Sequence, residues 1–275
     1  MTVSTQLDIR PLSPLIGAEI GGLDLSRPLG DTLVAEVRRA LNTHHVIFFR
    51  DQDLSPTRQA DFARQFGEVT EGHPVLPALG DNPEVLAIDG SKDRASWWHT
   101  DVTFLQAPAF GSILYMLTAP DVGGDTTWAS LQDAYDRLAD PVREMCDALI
   151  AIHFDPWFAA DVDANGGYEW EGVRHDKLLP ALHPVVRTHP ETGRATLFVN
   201  AMWTKRVVGL GPAASDALLL HLCAQATVPE YQCRVHWTPD MVLFWDNRAV
   251  QHYALSDYTE PRLMIRSTLR GDTPF

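Results

Sequence analysis

Short apolar runs and amphipathic segments alternate along the whole chain, separated by turn residues. Residues 32–41 place their apolar side chains on one face and predict an amphipathic helix. Ser55 followed by Pro56 predicts the start of a second helix, reaching to about Phe66, because serine caps a first turn and proline fits its first position. Further helices are predicted at residues 131–138, 141–149 and 215–226, and strands at 7–12, 18–25, 45–50, 84–88, 111–117, 184–188, 195–200, 233–237, 241–245 and 262–269.

Many short strands accompanied by a few helices favour an antiparallel sandwich or barrel with helices packed outside it, although periodicity leaves the topology open. Residues 155–180 have no clean period, and long segments of this kind in a compact domain are often lids. We therefore expect lid segments near residues 70–77 and 155–180. Since neither a repeat nor a linker divides the chain, a single domain over residues 1–275 is expected.

The charge balance narrows the choice of partners. Lys and Arg number 22 against 36 Asp and Glu, a net charge of −14, which is unfavourable for binding nucleic acid or an anionic membrane. No apolar run is long enough to cross a bilayer, and the N-terminal residues lack the pattern of a secretory signal. The sequence therefore predicts a cytoplasmic protein that acts on a small molecule.

Histidine and carboxylate side chains are the candidate metal ligands, since the three cysteines match no zinc or redox spacing. In an extended Trp98-His99-Thr100-Asp101 segment, His99 and Asp101 would project to one face. His252, which follows a predicted strand, is the candidate third ligand. Two histidines and one carboxylate leave three coordination positions open, as in non-haem iron(II) oxygenases. A zinc or manganese hydrolase or isomerase with the same ligands is an alternative.

Two arginines and a glycine-rich turn accompany these ligands. Arg262 and Arg266 are four residues apart on a predicted strand and would share one face. Arginine pairs with a carboxylate or sulfonate through two hydrogen bonds, so the pair predicts a cavity for anions. Surface arginines that flank an apolar strand are the alternative. The turn at residues 123–128 adds hydroxyl donors.

Taken in order, these motifs resemble the TauD/TfdA family of iron(II)- and 2-oxoglutarate-dependent dioxygenases, and are closest to its taurine dioxygenase branch. The likeness covers nearly the whole chain and is densest at residues 98–104, 123–126, 183–190, 198–200, 245–248, 251–254 and 271–275. The resemblance implies a mainly β fold with packed α-helices, namely the double-stranded β-helix or jelly roll of the clavaminate-synthase type. It implies that His99, Asp101 and His252 are catalytic and hold Fe(II), with 2-oxoglutarate and O2 as cosubstrates.

The resemblance also implies roles for four further residues. Thr126 and Arg262 match the residues that bind the carboxylates of 2-oxoglutarate. His73 and Arg266 match residues that bind the substrate, and Arg266 corresponds to the arginine that receives a sulfonate. We therefore expect a small anionic organic substrate and a homo-oligomer that is a dimer or tetramer.

The sequence departs from the taurine-specific pattern at two positions. Leu76 and Ala95 stand where taurine-hydroxylating members carry a tyrosine and an asparagine, and with Phe158 they predict a more apolar pocket. We expect hydroxylation of the carbon next to the anionic group of a taurine-like or more hydrophobic sulfonate, giving aldehyde, sulfite, succinate and CO2. Alkyl sulfate esters and aryloxyalkanoates are alternative substrates, and a non-enzymatic ligand-binding protein on the same scaffold is a further alternative.

Overall fold

The computed structural model describes residues 7–72, 78–80, 82–90, 96–170 and 173–275. The strands are β1 (Asp8–Pro11), β2 (Ala18–Gly21), β3 (Val46–Phe49), β4 (Ala78–Leu79), β5 (Asn82–Asp89), β6 (Gly111–Thr118), β7 (Thr126–Ser130), β8 (Ile150–His153), β9 (Tyr168–Trp170), β10 (Val173–His175), β11 (Ala181–Pro184), β12 (Val186–Thr188), β13 (Ala195–Leu197), β14 (Thr204–Val207), β15 (Gln232–Val235), β16 (Val242–Asp246), β17 (Val250–Ala254) and β18 (Leu263–Leu269). The helices are α1 (Asp31–His44), α2 (Pro56–Arg64), α3 (Leu131–Asp136), α4 (Asp140–Cys146), α5 (Pro156–Asn165) and α6 (Pro212–Cys223), with 3-10 turns at Ala224–Thr227 and Pro229–Tyr231. Across these ranges, no helix has both the length and the apolarity that a bilayer crossing requires.

Two sheets form the centre of the fold. The larger has eight strands in the order β1-β2-β3-β16-β6-β18-β5-β4, and the smaller has three in the order β15-β7-β17. Side chains from both sheets meet in one buried cluster, which includes Phe48, Leu114 and Trp245 from the larger sheet and Trp128 and Val250 from the smaller. The sheets therefore pack face to face, and the predicted mainly β jelly roll with packed helices is confirmed.

Helices α1 and α2 cover the other face of the larger sheet. Ile47 and Phe49 of β3 share a buried cluster with Phe62 of α2, whereas Phe48 points into the cluster between the sheets. Successive strand residues face opposite sides, so a strand covered on both faces must be apolar throughout, as β3 is. The predicted start of α2 is also observed, because the Ser55 hydroxyl accepts a hydrogen bond of 3.3 Å from the Arg58 amide.

Regular structure occurs in the 155–180 segment, for which the sequence predicted none. The carboxylate of Asp155 caps α5 by accepting hydrogen bonds of 3.0 Å from the amides of Trp157 and Phe158. Phe158 and Val162 are buried, while Trp157 is 80% exposed. The exposed tryptophan obscures the apolar stripe of this helix, which explains why the pattern did not reveal it.

A buried ionic cluster closes the turn between β16 and β17. The Asp246 carboxylate is fully buried and accepts hydrogen bonds from the Arg248 guanidinium at 2.7 and 2.9 Å and from His189 Nε2 at 3.0 Å. Burial alone would raise the pKa of Asp246, but the adjacent Arg248 charge and these hydrogen bonds hold it well below its usual value. The ionised Asp246 thus fixes the start of β17, the strand that carries His252.

Asp246→Asn is expected to lower the free energy of unfolding by about 3 kcal/mol, because it leaves the buried Arg248 without its nearest counter-charge. Urea denaturation at neutral pH measures the loss. Asp136→Asn is the control, since the pair between Asp136 and Arg194 is exposed and its loss should cost less than about 1 kcal/mol.

The pH dependence of the Asp246 contribution has a defined sign. A carboxyl group whose pKa is depressed in the folded state stabilises the protein above the unfolded pKa of about 3.9 and loses that contribution as the pH falls further. The difference in free energy of unfolding between the wild type and Asp246→Asn should therefore have its full size near neutral pH and become smaller below about pH 4. An unchanged difference in acid would contradict this account.

Candidate metal centre

His99 and His252 lie side by side because their backbones pair. The His99 amide donates to the His252 carbonyl at 3.1 Å, and the His252 amide donates to the His99 carbonyl at 2.8 Å, forming an isolated antiparallel bridge between His99 and strand β17. The centroids of the two imidazole rings are 4.2 Å apart. Two residues distant in sequence are thus held together by the main chain.

Asp101 completes the cluster. Its Oδ1 lies 3.8 Å from His99 Nε2 and 3.7 Å from His252 Nε2, and one ligand atom from each of the three residues lies within 4.8 Å of the others. The chain is not extended beyond Asp101, because Val102 has a φ of +45°, a left-handed conformation that is rare for a β-branched residue. The structure therefore brings the three predicted ligands together, and a turn that the sequence did not predict begins directly after Asp101.

The electrostatics suit a divalent cation. Burial lowers the pKa of His99 and brings the pKa of His252 to about 3, so both imidazoles are neutral. His99 Nδ1 donates to the Trp97 carbonyl at 2.7 Å, which leaves the lone pair on Nε2 facing the cluster. Burial opposes ionisation of Asp101, but the Arg266 charge holds its pKa well below the usual value. Two imidazole nitrogens and one carboxylate oxygen form a donor set that fits iron(II).

The second oxygen of Asp101 is occupied by protein groups. Arg266 donates to Asp101 Oδ2 through its NH2 nitrogen at 2.8 Å, and Ser112 Oγ donates to the same oxygen at 3.0 Å. Arg266 also donates to Ser112 Oγ at 2.7 Å and, through Nε, to Thr268 Oγ1 at 3.0 Å. Sequence reasoning placed Arg266 on the substrate side only and missed Ser112, whose sole signal is a polar residue inside the apolar run of β6.

Arg262 and Thr126, the predicted 2-oxoglutarate residues, are neighbours. The NH2 nitrogen of Arg262 lies 3.4 Å from Thr126 Oγ1, and Arg262 Nε donates to the Gly124 carbonyl at 3.0 Å. Both side chains are buried. A Cβ added to Gly124, whose φ is +69°, would lie 2.8 Å from Pro120 Cγ and 3.3 Å from Arg262 Cδ, so this turn requires glycine beside the arginine.

Arg262 differs from Arg266 in its charge partners. Arg266 pairs with Asp101, but within the described residues no carboxylate lies at ion-pair distance from the Arg262 guanidinium. Arg262 is nevertheless buried, with 6% of the residue exposed. Trp237 Nε1 donates to Thr126 Oγ1 at 2.9 Å, and no acceptor among the described residues takes the hydroxyl hydrogen of Thr126. A buried cation next to a free hydroxyl donor is suited to an anionic ligand.

Aromatic residues connect the centre to α5. Trp203 lies edge-on to His99 with ring centroids 5.3 Å apart, and Phe104 lies between Trp203 and Phe158 at 5.1 and 5.4 Å. Asp155, the capping residue of α5, accepts a hydrogen bond of 3.1 Å from Trp203 Nε1. Sequence reasoning missed Trp203 because no motif marks it. The other predicted pocket residues, His73, Leu76 and Ala95, lie outside the described residues.

Comparison with known proteins gives consistent matches over almost the entire chain. The chain is 40% identical to an alpha-ketoglutarate-dependent sulfate ester dioxygenase of Pseudomonas putida, over 98% of this chain and 91% of the relative. It is 38% identical to an alkylsulfatase of Acinetobacter baylyi, over 97% of this chain and 86% of the relative. A crystal structure of a taurine dioxygenase from Burkholderia xenovorans matches with a TM-score of 0.84 and 39% identity, covering 98% of this chain and 92% of that one.

The family itself is matched over residues 8–268. The matched range contains the clustered His99, Asp101 and His252 and nearly all of the two central sheets. The relatives share about two fifths of their residues with this chain. The predicted fold and the predicted class of 2-oxoglutarate-dependent dioxygenase are thereby confirmed, and the chain belongs to the taurine catabolism dioxygenase TauD, TfdA family.

Proposed function

We propose that this protein uses Fe(II), 2-oxoglutarate and O2 to hydroxylate the carbon next to the anionic group of a small organic substrate. The main candidate is a taurine-like or more hydrophobic sulfonate, converted to aldehyde and sulfite while 2-oxoglutarate becomes succinate and CO2. The observation that carries the proposal is the convergence of His99, Asp101 and His252 in a buried cluster beside two buried arginines. The three converging residues would hold the iron.

Bound iron(II) would supply the activation of dioxygen and the oxidising power for attack on a C–H bond, with 2-oxoglutarate as the two-electron donor. The protein's own contribution is to bind and orient. Arg262 would pair with the far carboxylate of 2-oxoglutarate, and the free hydroxyl hydrogen of Thr126 would donate to a carboxylate of the same molecule. The absence of a carboxylate partner for Arg262 among the described residues supports this role.

Arg266 would bind the anionic group of the substrate through NH1, the nitrogen that still has an unused N–H donor. Its NH2 and Nε nitrogens already donate to Asp101, Ser112 and Thr268. NH1 makes only a 3.4 Å contact with Asp101 Oδ1, so it retains a donor for a sulfonate or sulfate oxygen. We propose His73, outside the described residues, as the second group on this anion.

Exclusion of water is assigned to the aromatic residues between the centre and α5. Phe104, Phe158 and Trp203 are buried and place an apolar wall beside His99. We propose that residues 155–180, which include α5, cover the site as a lid, together with residues 70–77. A single domain over residues 1–275, a cytoplasmic location and a dimeric or tetrameric state stay predictions.

Alkyl sulfate esters are the second candidate class. Two relatives, at 40% and 38% identity, have names that refer to sulfate esters or to alkylsulfatase activity. Hydroxylation of the carbon that bears the ester oxygen would release aldehyde and sulfate in place of sulfite. The apolar wall beside His99 fits an alkyl chain in either substrate class.

A substrate panel tests the proposal. Purified protein is supplied with iron(II), 2-oxoglutarate and oxygen, and with taurine, longer alkyl sulfonates, alkyl sulfate esters or aryloxyalkanoates. Succinate, sulfite and sulfate are measured. We expect kcat/KM for a medium-chain sulfonate or sulfate ester to exceed that for taurine at least about tenfold, because each buried CH2 contributes about 0.8 kcal/mol and Leu76 and Ala95 offer no polar group to the amine.

The panel also separates the alternatives. Succinate that forms no faster with any substrate than without one would contradict the proposal and favour a non-enzymatic binding protein. Turnover with zinc or manganese but without succinate would instead indicate a hydrolase. A clear preference for taurine would contradict only the expected apolar pocket.

A further inference from the structure

The carboxylate of Asp155 joins two separate parts of the structure. Its Oδ1 accepts hydrogen bonds of 3.0 Å from the amides of Trp157 and Phe158 and so caps the N-terminus of α5. Its Oδ2 accepts a hydrogen bond of 3.1 Å from the indole N–H of Trp203, which lies in the segment between β13 and β14. The start of the helix and the tryptophan ring are thus held by the same side chain.

Trp203 is held by its main chain and by its ring. Its amide donates to Asn200 Oδ1 at 2.8 Å, and its carbonyl accepts from the Phe154 amide at 2.8 Å. These two bonds fix the backbone but leave the side-chain torsions free, whereas the bond from the indole N–H to Asp155 fixes the direction of the ring. In that direction the ring stands edge-on to His99, with centroids 5.3 Å apart.

The hydrogen bond between Asp155 and Trp203 is shielded from water. The two residues are 9% and 7% exposed, and the Phe104 ring packs against both Trp203 and Phe158, with centroids 5.1 and 5.4 Å apart. A buried carboxylate that loses a donor leaves an oxygen unsatisfied, and a hydrogen bond to a charged group is stronger than one between neutral groups. Turning the ring away from Asp155 therefore costs free energy that water does not restore.

Helix capping alone does not account for a buried aspartate at this position. Helix α2 is capped by the single hydroxyl of Ser55, and α6 begins without any hydrogen bond from a capping side chain. A buried carboxylate costs free energy unless both of its oxygens have partners, and a serine cap would avoid that cost. The second oxygen of Asp155 is therefore significant, and its partner is the ring that faces His99.

We propose that Asp155 is a positioning residue that couples α5 to the metal centre, so that Trp203 stands beside His99 only when α5 is in place. This inference rests on the proposed function, in which α5 belongs to a lid and Trp203 to the apolar wall of the site. The substrate would then meet a complete wall that excludes water. Without the coupling, Trp203 could turn, and the arrangement that binds the substrate would be less populated.

Asp155→Asn and Trp203→Phe break the hydrogen bond from its two sides. Asparagine caps helices as well as aspartate does and keeps an oxygen for the α5 amides, but it places an NH2 donor against the indole N–H. Phenylalanine keeps an aromatic ring beside His99 but has no donor. Ser55→Ala is the control, because it removes the cap of α2, which packs on the far face of the larger sheet, and so lowers stability without contact with the site.

Binding of an alkyl probe is the first measurement. Protein loaded with Mn(II) and 2-oxoglutarate is titrated calorimetrically with hexanesulfonate and, separately, with hexyl sulfate. Each single variant should bind the probe about tenfold more weakly, in line with the loss of a hydrogen bond to a charged group. The double variant should also lose about tenfold, not a hundredfold, because both changes remove the same bond. Affinities for Mn(II) and 2-oxoglutarate should stay unchanged, and Ser55→Ala should leave all three affinities unchanged.

Hydrogen exchange of the α5 amides is the second measurement and requires neither metal nor substrate. Trp203→Phe alters a residue outside α5, yet it should raise the exchange rates of the α5 amides about tenfold, because the cap loses its second anchor. Ser55→Ala should leave these rates unchanged. If Asp155→Asn does not fold, Trp203→Phe decides both measurements.

Two outcomes would overturn the coupling. Losses that multiply to about a hundredfold in the double variant would mean that Asp155 and Trp203 act independently on the probe. Unchanged α5 exchange in Trp203→Phe would mean that the helix does not depend on the ring. A wild type that binds Mn(II) but not 2-oxoglutarate would instead overturn the proposed function, and the exchange of α5 would still decide whether Asp155 couples the helix to Trp203.

Discussion

His252→Ala is expected to lower succinate formation by roughly a thousandfold or more and to weaken iron(II) or Mn(II) binding by at least about a hundredfold. The loss exceeds that found when residues behind a ligand are changed, because a coordinating nitrogen itself is removed. In the wild type, His252 Nε2 lies 3.7 Å from Asp101 Oδ1, and no other residue of β17 could replace the imidazole. Metal affinity is measured by calorimetry, and turnover by succinate formation with the best substrate of the panel.

His45→Asn is the control for a buried histidine outside the cluster. His45 is 1% exposed, ends α1 with a φ of +62°, and its pKa is lowered by burial to about 4. Asparagine tolerates that left-handed conformation, so this variant should keep metal affinity and most of its turnover. Full activity in His252→Ala would refute the assignment of the metal ligands, whatever the control shows.

The elements that the sequence predicted best are those whose burial leaves a simple pattern. β3 is apolar at every position because helices cover one face and the smaller sheet covers the other. Helix α2 carries its own start signal in Ser55 and Pro56. The three candidate ligands were found from their chemistry and from the family resemblance, and the structure brings them together.

The pairing that assembles the centre could not be predicted from one sequence. β7 and β17 are five-residue strands beside turns, and both escaped the pattern analysis. The bridge between His99 and His252 depends on the register of β17 against β7, which is set by long-range packing. The contact of Arg266 with Asp101 is likewise a tertiary feature, because strand periodicity gives only the face on which an arginine lies.

Arg262→Ala is expected to raise the KM for 2-oxoglutarate about a hundredfold, equivalent to roughly 2.7 kcal/mol, while changing the KM for the substrate far less. The guanidinium is buried beside Thr126 and the Gly124 carbonyl, so no solvent ion replaces it when the side chain is removed. A charge-assisted pair with a carboxylate in such a setting accounts for a loss of this size. Initial rates over a matrix of both concentrations separate the two KM values.

Arg234→Ala is the matched control, because Arg234 lies in β15 and contacts the same turn. Arg234 pairs with Asp125 at 2.6 Å, next to Thr126, but more than half of its side chain is exposed. Removing it should change the KM for 2-oxoglutarate only slightly, because exposed pairs contribute little. Arg262→Lys should recover part of the affinity, since it restores the charge without the fork. If Arg262→Ala instead raised mainly the KM for the substrate, the assigned roles of Arg262 and Arg266 would have to be exchanged, because each arginine then serves the other anion.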